Sequence, residues 1–175
     1  IVEFPEGGGG VEGPDQAGSE TNTTHCLTRA ERLLRPCFEG GESEATMLYA
    51  ETKELQGQRE AAVHVLEYYH EQSPDDYDAV ERLIILYRQQ GMDQKIRDLF
   101  HEIGERHSET EIGQLLLERL QAADDLTPEV LFLTRLALET DPVAQRLGLA
   151  VFLVSQGRNE DAERYLAELE AHRPE

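Results

Sequence analysis

One dipeptide recurs at a fixed distance along this chain. Gln56-Gly57 and Gln90-Gly91 place their glycines 34 residues apart, and Gln156-Gly157 follows further on. Self-similarity at such a period marks stacked supersecondary units, because a single unit cannot bury its own apolar face. Seventeen residues beyond the three glycines stand Pro74, Ser108 and Pro174, and Pro142 lies 34 after Ser108. Four units are therefore in view, the last shortened by two residues.

Apolar positions carry the same register. Ala62, Leu66 and Tyr69 recur, shifted by 34, as Ile96, Phe100 and Ile103 and again as Val130, Thr134 and Ala137. Ala162, Leu166 and Leu169 fall where the shortening of the last unit puts them. The spacing i, i+4, i+7 is one face of an α-helix. Tyr49 matches Leu83 in the preceding helices, where Val80, Leu83, Ile84 and Tyr87 form a stripe. Each unit thus reads as two antiparallel helices. A glycine between them suits a turn that needs positive φ, and a proline between units stops the helix before it. Pro74-Asp75-Asp76 and Asp141-Pro142 read as such junctions. Thr127-Pro128-Glu129 reads as a helix start, with a capping hydroxyl, proline at the first position and an acid in the first turn.

A 34-residue helix pair with Gly57, Ala62 and Pro74, or with Tyr87, Gly91 and Phe100, resembles the tetratricopeptide repeat. The resemblance covers about residues 42–174. It departs from the family pattern at Asp124-Asp125, which replaces Gln-Gly in the third unit, and at Thr46 and Lys53, where the family prefers large apolar or aromatic residues. The expected fold is all-α: a right-handed α-solenoid of about four antiparallel helix pairs over 42–175. A short helix over 25–41 and a disordered Gly/Pro-rich tail or linker over 1–24 precede it. Pro36 interrupts the short helix in this reading, which packs on the front of the array and covers the first unit. A helical array of slightly different repeat type would give similar spacing.

The resemblance also implies a concave groove lined by the first helix of every pair, suited to a peptide or helix of a partner protein. Its lining positions fall on Met47, Glu51 and Glu54; on Glu81, Ile85 and Arg88; on Gln114, Glu118 and Gln121; and on Leu147, Val151 and Val154. That groove is acidic at one end and apolar at the other, which suits a basic segment followed by an apolar anchor. Family members that clamp acidic C-termini use Lys, Arg and Asn there, and only Arg88 is available, so carboxylate clamping is not expected.

Charge narrows the partner class. Lys+Arg number 16 against 36 Asp+Glu, a net charge of −20. Nucleic acid and anionic membrane both demand clustered cations and are disfavoured. No run of about 18 apolar residues is present to span a bilayer. The same acidity also serves solubility, as charge runs usually line solvated faces. The helix Val143 to Gln156 is apolar nearly all round. Either the array is a piece of a longer one, or a partner or second copy covers that helix, or the final helix does. A homo-oligomer through this last repeat, or a secretion-type chaperone, is the alternative to an adaptor or assembly factor.

No motif for chemistry emerges. His64 and His70, like His101 and His107, are six apart and face different sides of a helix, whereas a helical zinc pair wants i, i+4. All are expected to be solvated. Gly7 to Gly10 lack a following Lys-Ser/Thr for phosphate, and Gly-x-Ser-x-Gly is absent. No catalytic, metal or cofactor residue is expected, and the chain is read as a non-enzyme. Cys26 and Cys37, eleven apart, would stand ~16 Å apart on one helix and read as free thiols in a reducing compartment. The expected setting is cytoplasmic, with a periplasmic or membrane-tethered parent protein left open. The start of the sequence carries no basic-then-apolar leader.

Overall fold

The recurrent glycines close helices by one mechanism. In the computed structural model, which describes residues 16–122 and 127–171, with side chains of the first helix from residue 22 on, Gly41, Gly57, Gly91 and Gly157 all adopt φ between +67° and +78°. A side chain there would meet its own backbone, so glycine is what the turn requires. At each, two backbone bonds end the helix. Gly57 N–H donates to Glu54 O (2.8 Å) and Gln58 N–H to Lys53 O (2.9 Å), and the same pair recurs at 41/42, 91/92 and 157/158.

Among the described residues the elements are nine helices: α1 Gln16–Glu39, α2 Ser43–Leu55, α3 Arg59–Gln72, α4 Tyr77–Gln89, α5 Asp93–Arg106, α6 Glu111–Ala122, α7 Pro128–Ala137, α8 Pro142–Ser155 and α9 Asn159–Ala171. The chain is therefore all-α. It divides into two compact units, Ile1–Val65 and Leu66–Glu175, with the boundary inside α3.

In the first unit α1 is longer than expected. It takes in residues 16–24, read above as tail, and runs through Pro36 rather than breaking there. Where it passes 24–28 the Thr28 hydroxyl donates to Thr24 O (2.9 Å), and at Pro36 the ring removes only one ladder bond. The rest of the expected tail, 1–15, lies outside the described residues. Cys26 and Cys37 are free thiols on this one helix. α1 packs along α2, stacking Phe38 on Tyr49 at 5.2 Å between ring centres. The Glu31 carboxylate accepts from Lys53 Nζ and from Gln56 Nε2 (3.0 Å). The Lys53 bond, foremost, holds the Glu31 carboxyl below the usual carboxylate range. The two family departures are thereby accommodated: Lys53 pairs with α1, and the buried Thr46 hydroxyl donates to Glu42 O at 2.8 Å.

The second unit is organised around α5 and α7. α5 packs on α4, α6 and α7, α7 also on α6 and α8, and α8 on α9. Ile96, Phe100 and Ile103 of α5 and Val130 of α7 are fully buried, as the repeat register predicts. Leu133 and Leu136 of α7 and Leu138, which caps its C-terminus, are buried as well, so the apolar surface spans roughly 200° of the helix and its cap at 3.6 residues per turn. A face that wide has to be covered from several sides. Thr127 caps α7 as expected, accepting from Val130 N–H (3.4 Å), and the aspartates of the two expected junctions prove to be caps as well. Asp76 accepts from Asp78 N–H (3.0 Å) and Ala79 N–H (3.2 Å), Asp141 from Val143 N–H (2.9 Å), and Pro128 and Pro142 open their helices. Asp76 also takes the Tyr69 hydroxyl at 2.8 Å. Asp76→Ala is expected to lose about 1 kcal/mol, with faster amide exchange over the first turn of α4 as the local readout. Asp124-Asp125 lies outside the described residues.

At the C-terminal end the register persists but burial does not. Ala162 is 1% exposed, Leu166 is 39% exposed and Leu169 half-buried. α9 is tied to α6 through Glu111, which accepts from the Tyr165 hydroxyl and from Arg158 Nη2 (3.3 Å).

Candidate functional site

Three helices of the second unit present the same outward pattern. On α4 it is Glu81, Ile85 and Arg88, on α7 Pro128, Phe132 and Arg135, and on α8 Leu147, Val151 and Val154, all exposed at spacing i, i+4, i+7. The α4 and α7 sets face each other across one open cleft of about 380 Å³. Arg135 sits 5.7 Å from the Tyr77 ring at one end of α4, and the Tyr77 hydroxyl donates to Glu81 at 3.2 Å. Burial, then Glu81, pushes the Tyr77 hydroxyl pKa up.

α7 is joined to α8 by Phe132 stacked on Phe152, 6.2 Å between centroids and 16° from parallel. Close approach of the two helices explains Gly148, since a Cβ there would meet Leu136 Cδ2 at 2.2 Å. Leu149, Ala150, Phe152 and Leu153 of α8 are buried, which turns the opposite side outward. Val143, Leu147, Val151 and Val154 are 51, 44, 64 and 53% exposed. α9 packs on α8 but leaves this side in solvent, so cover by the final helix, the third of the readings left open above, is partial.

Within the second unit the expected groove positions are thus distributed, not collected. Glu81, Ile85 and Arg88 are joined by α7, the second helix of its pair, and not by the expected α6 positions. The reason is the breadth of the apolar surface on α7, which draws that helix between its neighbours. Glu118 lines a different cleft with Arg119, Phe152 and Arg158. Gln114 donates back to Ser108 O at 3.2 Å, and Gln121 is exposed. In the first unit, along α2, Glu51 is exposed while Met47 and Glu54 are half-buried. The α4–α7 cleft carries one carboxylate, Glu81, against two guanidinium groups, Arg88 and Arg135, so it is not acidic. Sequence reasoning missed Pro128, Phe132 and Arg135, although their i, i+4, i+7 spacing repeats that of the α4 positions.

The histidines also depart from expectation. His64 is exposed, and His101 and His107 are half-buried, but His70 is only 6% exposed. Among the described residues no group of three or more His, Cys, Asp or Glu could hold a metal ion, and no helix is long and apolar enough to cross a membrane. Comparison with family models, with curated proteins and with solved structures finds no match.

Proposed function

We propose that this chain is a non-enzymatic protein-interaction module of tetratricopeptide-repeat type, an adaptor or assembly factor that holds a peptide or helix of a partner. One observation carries the reading: α8 leaves Val143, Leu147, Val151 and Val154 in solvent along a single line. Continuous exposed apolar surface of that kind marks interaction sites in soluble proteins. Ile85 and Phe132, 40 and 37% exposed, extend the apolar character onto α4 and α7. A partner helix with apolar anchors at i, i+3/i+4 and i+7 fits such a surface. Glu81, Arg88 and Arg135 beside the cleft would select against a uniformly basic segment. The basic-then-apolar partner expected from sequence is therefore narrowed to an amphipathic one.

Selection of a displayed random-peptide library on the whole chain tests this. Enriched sequences are expected to share the amphipathic spacing, and Leu147→Glu/Val151→Glu is expected to weaken them at least tenfold, since each buried apolar side chain contributes about 1.5–3 kcal/mol. Both positions are exposed, so the helical circular dichroism should not change. An unenriched library, or peptides indifferent to the double substitution, rejects the reading. Self-association through the same stripe is the second reading, favoured by the same exposure and opposed by the net charge of −20. Light scattering that stays monomeric across concentration removes it.

A further inference from the structure

Among the described residues Gln56, Gln90 and His107 each bury one side-chain polar atom without a hydrogen-bond partner, but His70 buries two, both ring nitrogens. It lies on α3 in the second unit, its side chain 8% exposed, and neither ring nitrogen has a hydrogen-bond partner. Nε2 stands 3.6 Å from Glu102 Oε1, beyond hydrogen-bond reach. A buried polar ring left unpaired is destabilising, and such groups are rare enough that each calls for an explanation. This one lines an open cleft of about 280 Å³ between α3 and α5, below the usual range for small-molecule pockets but ample for one side chain.

The walls of the cleft are charged. Glu67, Glu71, Asp98 and Glu102 line it together with a single cation, Lys95. Lys95 is already engaged, donating to Glu67 Oε1 at 2.6 Å, and the same oxygen accepts from the Tyr87 hydroxyl at 2.7 Å. That fixes one wall and leaves the cleft with an excess of carboxylate. Burial, foremost, depresses the basicity of His70 against the opposing pull of the Glu102 carboxylate, and a neutral imidazole offers one nitrogen as an acceptor. Glu102 Oε1 also takes the Arg106 guanidinium of its own helix and Asp98 Oδ1 accepts from Gln94 Nε2 (2.8 Å), so it is the second oxygen of each carboxylate, with the ring nitrogen, that an incoming donor would meet.

We propose that the α3–α5 cleft is a receptor for one arginine side chain of a partner protein segment, its guanidinium held by the Asp98 and Glu102 carboxylates and donating to the free ring nitrogen of His70. Arginine fits better than lysine because its five donors are arranged in a planar fork that can serve several acceptors at once. The site is separate from the α4–α7–α8 face and stands whether or not a peptide binds there.

The test is a nuclear magnetic resonance titration of the whole chain with N-acetyl-arginine amide, reading the His70 ring nitrogens and the backbone amides of residues 67–71 and 95–102. N-acetyl-citrulline amide, which has nearly the same shape and no charge, is the control. Saturable shifts at His70 with the arginine probe are expected, together with silence toward citrulline and a weakening of at least tenfold in Asp98→Asn/Glu102→Gln. Asp98 and Glu102 are exposed, so the folded spectrum of that variant should persist. A His70 that does not respond means the cleft holds water only, and this overturns the proposal. So do an equal response to citrulline, binding unaltered by the double substitution, or shifts spread evenly over the chain's other carboxylates.

Discussion

Phe100→Ala is expected to lower unfolding stability by about 3–5 kcal/mol. Phe100 is the largest fully buried side chain among the described residues, central to α5, with Ile96 and Ile103 on the same face also at 0% exposure. α5 is held against α4, α6 and α7, so the hole left by the ring cannot close by a simple shift of one helix, and the cavity cost adds to the lost transfer energy. Urea unfolding followed by circular dichroism gives the number. The informative comparison is Leu166→Ala, the equivalent repeat position on α9. Leu166 is 39% exposed, and its loss is expected to cost about 1 kcal/mol or less. Equal costs at the two positions would mean that repeat register, and not burial, sets the energetics, and the packing of α5 described above would be wrong.

That pair of positions also locates the limit of what could be read without coordinates. Periodicity reports which residues share a helix face, so Ile96, Phe100 and Ile103 were legible, as were the glycine turns, the cap at Thr127 and the junctions at Pro74 and Pro142. Each is a local rule in which a side chain or a backbone angle answers to neighbours a few residues away. Whether a face is covered depends on other helices. Leu166 keeps the register on a helix covered only in part, and α8, apolar nearly all round, buries Leu149, Phe152 and Leu153 but leaves Val151 in water.

The candidate site suffered from the same limit. The α4 and α8 positions have the exposure that their register implies, whereas assigning α6 to the same face assumed that helices alternate strictly between lining and backing. Leu133, Leu136 and Leu138 widen the apolar arc of α7 beyond one stripe, and that excess, visible in the sequence, is what places Phe132 and Arg135 opposite Ile85 and Arg88. His70 was misread because a polar residue looks solvated when taken alone. Its spacing from Val63 and Leu66, both buried, puts it on a covered face of α3. At α1 the failure ran the other way, since residues 16–24 carry no apolar periodicity and gave no helix signal.

Gly113→Ala is the second large effect, expected at a net loss of about 2 kcal/mol. Gly113 lies in the first turn of α6 with ordinary helical φ, so conformational freedom is not what the position uses. Space is the constraint: a Cβ would stand 2.1 Å from His107 O and 2.4 Å from His107 C. Those are backbone atoms, and the turn that carries them is pinned. Thr110 donates its amide (2.9 Å) and its hydroxyl (2.7 Å) to His107 O, while the hydroxyl oxygen accepts from Gly113 N–H at 3.1 Å. Relieving the overlap requires moving the turn or the start of α6, at a cost of about 3 kcal/mol for overpacking, against about 1 kcal/mol gained by alanine in a helix. Gly104 supplies the contrast. A Cβ there would meet Leu117 Cδ2 at 2.8 Å, the movable end of a side chain, so Gly104→Ala should fall near zero as propensity offsets a small repacking. Thermal unfolding of the two variants side by side separates a backbone clash from a side-chain one. A neutral Gly113→Ala would show that the turn 107–110 yields easily and that its three hydrogen bonds do not hold α6 in place.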